Sequence, residues 1–262
     1  MTELLHRELT GPIIGAYYEV YNHTSRNLPE ALYERAFMLE LQQRGYAVTQ
    51  QDEYRIVYKD RLIGKQRLDL FVVQEIVVEN KATPRLTPLN KAQTQSYLKT
   101  VGKKVGLLCN FGSEQPQFER VFFDREVRPA VERAGDQPPA DWLHPDLTYQ
   151  VIGGLYEVHT VLGPGFIHRM YPNACFHELR LRGLEVAPLK RMQVKYKDHI
   201  LGEIPFNHLI VDGKVMVFPL AVGDTRALHL EAIKDWLRHN NLQIGIVANF
   251  NAIRLQPVVV RA

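Results

Sequence analysis

Cysteine is nearly missing from this chain: Cys109 and Cys175 are the two among 262 residues. Both stand among apolar neighbours and read as buried thiols. A disulfide framework is not expected, and a cysteine-based zinc site is excluded by count. Long apolar runs are missing too. None approaches the roughly 18 residues that span a bilayer, so no membrane partner is expected. The opening Met-Thr-Glu-Leu-Leu-His-Arg has no signal-peptide apolar stretch, and a reducing cytoplasm is the expected location. Nor does one sign of charge dominate: 32 Lys and Arg face 29 Asp and Glu, a formal net charge of +3. That permits a polyanionic partner without demanding one. The ten histidines form no H-E-x-x-H spacing, and there is no P-loop and no G-x-S-x-G, which sets aside three common hydrolase and nucleotidase classes.

What is present is a repeat. Tyr18-Glu19-Val20 recurs as Tyr156-Glu157-Val158, Tyr33 as Tyr171, and Glu40-Leu41 as Glu178-Leu179. Arg44-Gly45 recurs as Arg182-Gly183, Tyr58-Lys59-Asp60 as Tyr196-Lys197-Asp198, and Gly64 as Gly202, all at one offset of 138 positions. Further on the offset is 139, matching Gly106 with Gly245 and Asn110-Phe111 with Asn249-Phe250. The extra residue of the second copy is expected in its hairpin turn, at Asp212-Gly213. A constant register over this length predicts two copies of one domain, 1–127 and 145–262. A polar, proline-rich linker at 128–144 separates them, with Ala134-Gly-Asp-Gln-Pro-Pro-Ala140 at its centre.

Each copy reads as α-α-β-β-β-β-α-β. In the first, Ile13, Ile14, Tyr17 and Tyr21 have helical spacing. A second helix runs from about Pro29 to Arg44 and stops at Gly45. Strands are expected near 46–50, 53–59, 66–73 and 75–80, then a helix over 89–100 and strands at 105–109 and 120–123. A helix between strands implies a mixed sheet covered on its faces, an α/β layered fold.

Two apolar runs, Leu68–Val73 and Ile76–Val78, flank Gln74-Glu75 and read as a tight hairpin of buried strands. Asp69, Glu79 and Lys81 sit at its ends. Residues two apart on a strand share a face, so Glu79 and Lys81 look the same way, and antiparallel pairing brings Asp69 near Glu79. Charges at the end of a buried sheet are costly to desolvate. Two carboxylates and the backbone carbonyl of Asn80 are oxygen donors of the kind magnesium takes. Lys81 would then stabilise a nucleophile or a growing phosphate charge. Glu30 and Glu34, four apart on the second helix, offer a further acid, and Gln93 on the following helix could orient water or phosphate. Lys65, Arg67, Arg85, Lys103 and Lys104 put positive charge nearby, suited to a nucleic-acid backbone. Taken alone, the triad also fits a solvated salt bridge at a strand end.

At these residues the sequence resembles the PD-(D/E)xK nuclease superfamily, and more narrowly its GxxExxY family. The resemblance rests on Asp69, on Glu79-Asn80-Lys81, and on Asn27-Leu28-Pro29-Glu30-Ala31-Leu32-Tyr33 with Gly165-Phe166-Ile167-His168-Arg169-Met170-Tyr171 in the second copy. Tyr18-Glu19-Val20-Tyr21-Asn22, Ala92-Gln93 and Gly106–Gly112 add to it. It implies two tandem restriction-endonuclease-like domains forming an internal pseudo-dimer. It further implies phosphodiester cleavage in DNA or RNA with Mg2+ (or Mn2+), Asp69, Glu79 and Asn80 holding the metal and Lys81 catalytic. Glu30 holds the signature glutamate position and Gln93 that of the helix glutamine.

In the second copy His168 stands for Glu30, Asn207 for Asp69, Phe218 for Glu79, Leu220 for Lys81 and Ala232 for Gln93. That copy is expected to be catalytically dead and to serve by packing on the first, its apolar Gln256–Val260 run buried there; His168 and His177 are read as helix residues without a catalytic role. The alternative is a non-catalytic nucleic-acid-binding or assembly protein on a nuclease-like scaffold. Since the same hairpin recurs without its charges, the fold does not need Asp69, Glu79 and Lys81, which favours a site.

Overall fold

The computed structural model describes residues 5–123, 143–197, 199–223 and 230–262. The chain divides into two compact units, Met1–Ile56 with Lys65–Val127, and Val57–Gly64 with Arg128–Ala262. The division differs from the expected 1–127 and 145–262 at one internal place: the short stretch Val57–Gly64 packs in the second unit. The expected linker at 128–144 lies outside the described residues except for its last two positions.

The first unit opens with two helices, α1 (Arg7–His23) and α2 (Glu30–Gln43). Ile13, Ala16, Tyr17, Val20 and Tyr21 recur at helical spacing, and all are buried on one face of α1. Pro29, pre-set in φ and lacking an N–H, stands just before α2, and Gly45 ends that helix in the left-handed region at φ 84°. Strands β1 (Val48–Gln50), β2 (Glu53–Tyr58), β3 (Arg61–Arg67), β4 (Leu70–Val72) and β5 (Ile76–Lys81) follow. Then come α3 (Pro88–Val101), β6 (Val105–Asn110) and β7 (Gln117–Phe122). Thr87 and Asn90 form a reciprocal capping box at the start of α3.

Five strands make a mixed sheet in the order β1-β4-β5-β6-β7. β5 and β6 run parallel, as the intervening α3 requires. The other neighbours are antiparallel. Leu70, Val72, Ile76 and Val78 face α1 and α2 in one core, while Phe71 and Val77 face Tyr97 and Leu98 of α3 in another. This alternation buries the sheet on both faces.

Two strand expectations need correction. The strand expected over 66–73 is two strands, β3 and β4, parted at Leu68 and Asp69. There the Gln51 N–H donates to the Asp69 carbonyl at 3.1 Å and the Leu68 N–H to the Asp52 carbonyl at 3.1 Å, with Gln51 at φ 55°. The chain kinks out of the main sheet, and β2 with β3 forms a separate two-stranded ribbon. Residues 61–65 also belong to β3, where Gly64 parts the apolar Leu62-Ile63 pair from the polar Lys65-Gln66-Arg67.

The second unit repeats the plan: α4 (Pro145–Leu162), α5 (Met170–Leu181), β8 (Val186–Tyr196), β9 (His199–Val211), β10 (Val215–Leu220), α6 (Leu230–His239), β11 (Ile244–Asn249) and β12 (Val258–Arg261). Its sheet runs β12-β11-β10-β9-β8, again with one parallel pair, β10 with β11. The apolar run at 256–260 supplies the edge strand of this same sheet: Val260 lies in the unit's own core and Val258 is 46% exposed. Its apolar character needs no partner outside that unit.

The register also moves the extra residue of the second copy. Leu70, Phe71 and Val72 pair with Val78, Val77 and Ile76, and Leu209, Ile210 and Val211 pair with Val217, Met216 and Val215. The two hairpin turns therefore have equal length, and nothing is inserted at Asp212-Gly213. Leu189 pairs with His208 and the pairing slips before Arg191 and Pro205. The insertion is Asn207, a bulge residue at φ 41°. Consequently His208, rather than Asn207, stands where Asp69 stands.

Candidate active site

The ends of β4 and β5 bring the charged residues together. Antiparallel pairing of Leu70 with Val78 sets Asp69 across from Glu79, and the Asn80 N–H donates to Asp69 Oδ2 at 2.8 Å. Glu79 is completely buried and Lys81 is 9% exposed. On the shared strand face the Lys81 ammonium donates to Glu79 Oε1. Lys81 Nζ also lies 3.7 Å from Glu30 Oε1, and Glu30 Oε2 accepts from the Ala82 N–H at 3.3 Å. The first residue of α2 is thus drawn to the end of β5.

The electrostatics follow from burying more acids than one lysine balances. Burial, then Asp69, pushes the Glu79 carboxyl well above the usual carboxylate range, against the pull of Lys81. Burial pushes Asp69 up to about 6, opposed by the Asn80 N–H and Lys81 and reinforced by Glu34 and Glu30. For Lys81, burial works against the ammonium, but Glu79, Glu30 and Asp69 outweigh it and hold its pKa above the ordinary lysine value.

Around this centre lie residues that sequence reasoning noted faintly or not at all. Glu34 is buried and receives Gln50 Nε2 at 2.8 Å and Gln51 Nε2 at 2.9 Å. Gln51 Nε2 also reaches toward Asp69 Oδ1 at 3.5 Å. Gln93 donates to the Tyr97 hydroxyl at 2.9 Å. Burial, then Glu79 and Asp69, raises the pKa of that phenol. Gln93 thus holds a phenol that feels the charge of the acid cluster. The faint signals were Gln50-Gln51 at the strand break, and Tyr97 four residues after Gln93 on one helix face.

The nearby cations are partly spent. Lys65 pairs with Glu53 at 2.6 Å and Lys103 with Glu75 at 2.5 Å. Arg67, Arg85 and Lys104 are exposed.

The donor set suits a hard divalent cation. Glu79 Oε2 is buried with no hydrogen-bond partner, an expensive state for a carboxylate oxygen. Magnesium takes one or two carboxylates and fills its remaining positions with water and phosphate oxygens. No cluster of three or more His, Cys, Asp or Glu side chains poised for a metal occurs among the described residues.

The second unit keeps the frame and loses this chemistry. Tyr33 stacks on Phe111 at 4.9 Å, and Tyr171 on Phe250 at 4.7 Å. Their hydroxyls donate to the Ser25 and Gly163 carbonyls at 2.9 and 3.0 Å. Asn110 Oδ1 accepts from the Thr83 N–H at 3.1 Å, as Asn249 Oδ1 does from the Val222 N–H at 3.1 Å. Asn27 and Gly165 share the left-handed region at φ 59° and 100°, so Asn27 fills the glycine position with a residue that tolerates it. At the site, His208 lies against Phe206 at 4.3 Å and Phe218 at 4.7 Å. Burial, then His168, pushes the His208 imidazole down to about 3, so it stays neutral. His168 stands in the turn before α5, not on the helix. His177 is on α5, 2.6 Å from Asp60 Oδ1. Both cysteines are buried free thiols.

A family model described as the PD-(D/E)XK nuclease superfamily matches residues 7–121 and again 145–262. With both sheets and both α-helical layers accounted for, the chain belongs to that superfamily, in two tandem regions. No curated protein matches it. Among solved structures, the crystal structure of SSO0001 is similar at 15% identity over 45% of this chain and 80% of that chain, with a TM-score of 0.28. No helix among the described residues is long and apolar enough to cross a membrane.

Proposed function

We propose that the protein is a metal-dependent nuclease hydrolysing phosphodiester bonds in DNA or RNA, with its active site in the first unit alone, and that it falls in the GxxExxY branch of its superfamily. One observation carries the reading: Glu79 is fully buried, one of its oxygens lacks a partner, and Asp69 stands beside it with a raised pKa. Two carboxylates forced together out of water are what a divalent cation relieves. Asp69, Glu79 and the Asn80 carbonyl would hold Mg2+ or Mn2+. Once bound, the ion supplies a Lewis acid for the phosphate and a more acidic water.

The chain's own groups do the rest. Lys81, fixed between Glu79 and Glu30, places a positive charge where a phosphate gains negative charge. Glu30 holds Lys81 in position and tethers α2 to the end of β5 through the Ala82 N–H. Glu34 orients Gln51 toward Asp69. Gln93 sets the Tyr97 hydroxyl, which is in turn available to a water or a phosphate oxygen.

The test is cleavage of DNA and RNA, single- and double-stranded, by the purified full chain with Mg2+ or Mn2+. Asp69→Asn and Lys81→Met should each abolish metal-dependent cleavage while circular dichroism stays that of the wild type. A wild type that cuts none of these substrates with either metal, yet retains them in a binding assay, would replace this reading with a non-catalytic nucleic-acid binder.

A further inference from the structure

Two hairpin ends of the second unit are built alike, and one of them is packed. The packed tip is Val57–Gly64. Its Tyr58 is fully buried and donates its hydroxyl to Glu178 Oε2 at 2.8 Å, and Lys59 Nζ donates to the same oxygen at 2.5 Å. Lys59 Nζ is also 3.6 Å from Glu157 Oε1. Asn173 Nδ2 donates to the Ile63 carbonyl at 2.7 Å, and a Cβ added at Gly64 would meet Met170 Sδ at 2.6 Å. Arg182 Nε steadies the other Glu178 oxygen at 2.9 Å. The receiver is thus one face of α5 and one residue of α4.

The other, at Tyr196-Lys197 where β8 ends, is built alike. Tyr196-Lys197 repeats Tyr58-Lys59. Lys59 and Lys197 share a left-handed φ of 52°, and each ammonium lies 5.5 Å from the preceding tyrosine ring. Yet Tyr196 is 60% exposed, Ile200 60% and Leu201 66%. Three apolar side chains at one tip are more than solubility favours.

The receiver is also repeated, in the first unit. Glu40 stands for Glu178, Glu19 for Glu157 and Arg44 for Arg182. Arg44 Nε donates to Glu40 Oε1 at 2.6 Å, the same pairing that steadies Glu178. Leu32 and Leu39, in the places of Met170 and His177, are 45% and 51% exposed. The tip is thus exposed on the second unit and the receiver's leucines on the first, and the homologous pair is seen packed.

We propose that the Tyr196-Lys197 tip docks on α2 of a second copy of this chain. The Tyr196 hydroxyl and the Lys197 ammonium meet Glu40, Lys197 also faces Glu19, and Ile200 and Leu201 cover Leu32 and Leu39. A tip against a helix joins unlike surfaces, so a reciprocal exchange closes a pair of chains and a one-way contact continues into a longer array. This inference is independent of the nuclease reading.

Sedimentation velocity on the full chain tests it. The wild type should show a mass above the 30.2 kDa of one chain, rising with concentration. Lys197→Glu and Glu40→Lys should each raise the dissociation constant about tenfold or more, as expected on breaking a desolvated charge pair. An equimolar mixture of the two variants should associate again, because each supplies the charge the other needs. Circular dichroism of each variant checks the fold. A wild type that stays at one-chain mass at every concentration overturns the proposal. So do variants that associate as the wild type does, or a mixture of folded variants that fails to pair.

Discussion

The two units share a skeleton and differ at one corner. Both stack a tyrosine from the second helix on a phenylalanine after the parallel strand, and both clamp the following loop with an asparagine. At the hairpin ends, however, the first unit buries Glu79 and Lys81 beside a half-buried Asp69, and the second buries His208 and Phe218 among aromatic rings. The same backbone closes over either set. An ionic cluster that the fold can replace by apolar packing is poor at explaining stability, so the charges in the first unit call for a functional reason.

The sharpest break between the units is expected in activity. Glu79→Gln should lower metal-dependent cleavage by roughly a hundredfold to a thousandfold or more, the scale of losing a group that stabilises transition-state charge. His208→Ala, at the matching place, should leave turnover of the folded protein unchanged. Equal losses from the two would remove the assignment of one active half.

Acid should separate the same two positions by sign. His208 is held neutral, with its pKa at about 3 in the fold against about 6.5 unfolded. The unfolded chain binds the extra proton between those values, so stability is full above pH 6.5 and is lost as pH falls toward 3. The full effect is about 5 kcal/mol, and His208→Leu should flatten it. Asp69 behaves oppositely: its pKa is raised to about 6, so its contribution is greatest below about pH 3.9 and disappears as pH rises through 6. Asp69→Asn should make the metal-free protein more stable at pH 7 by up to about 3 kcal/mol. Denaturant titrations from pH 3 to 8 give both slopes.

Where the units agree, paired changes should agree. Phe111→Ala and Phe250→Ala should each cost their unit about 3–5 kcal/mol through the emptied space, read by thermal or denaturant unfolding. A much smaller cost in one unit would show that its ring stack is not a shared frame. Smallest of all, Asn27→Gly should change stability by under about 1 kcal/mol, since the backbone there is already left-handed at φ 59°.

Much of this was legible in the residues. The repeat, the α/β layering, the terminating Gly45 and the meeting of Asp69, Glu79 and Lys81 all follow from periodicity and strand alternation. The site's surroundings were less so. Glu34 meets Gln50 and Gln51, and Tyr97 meets Gln93, through folding across helix and strand, and no local spacing marks such pairs. The place of the inserted residue is hidden in the chain order for a similar reason. The apolar run Leu209–Val211 fits the first copy in two registers as a string of letters, and only the hydrogen-bonded partners of Leu209 choose between them.

The sequence by itself determined that one domain occurs twice and that its hairpin charges occur once, because identity at a constant offset and the chemistry of side chains are properties of the chain order. Tertiary structure alone decided that His208 stands for Asp69, that Glu79 keeps an unpartnered oxygen, and that one Tyr-Lys tip is packed while its twin is exposed. Those are outcomes of hydrogen-bond register and burial, which arise from residues far apart in the chain and exist only once the sheets have formed.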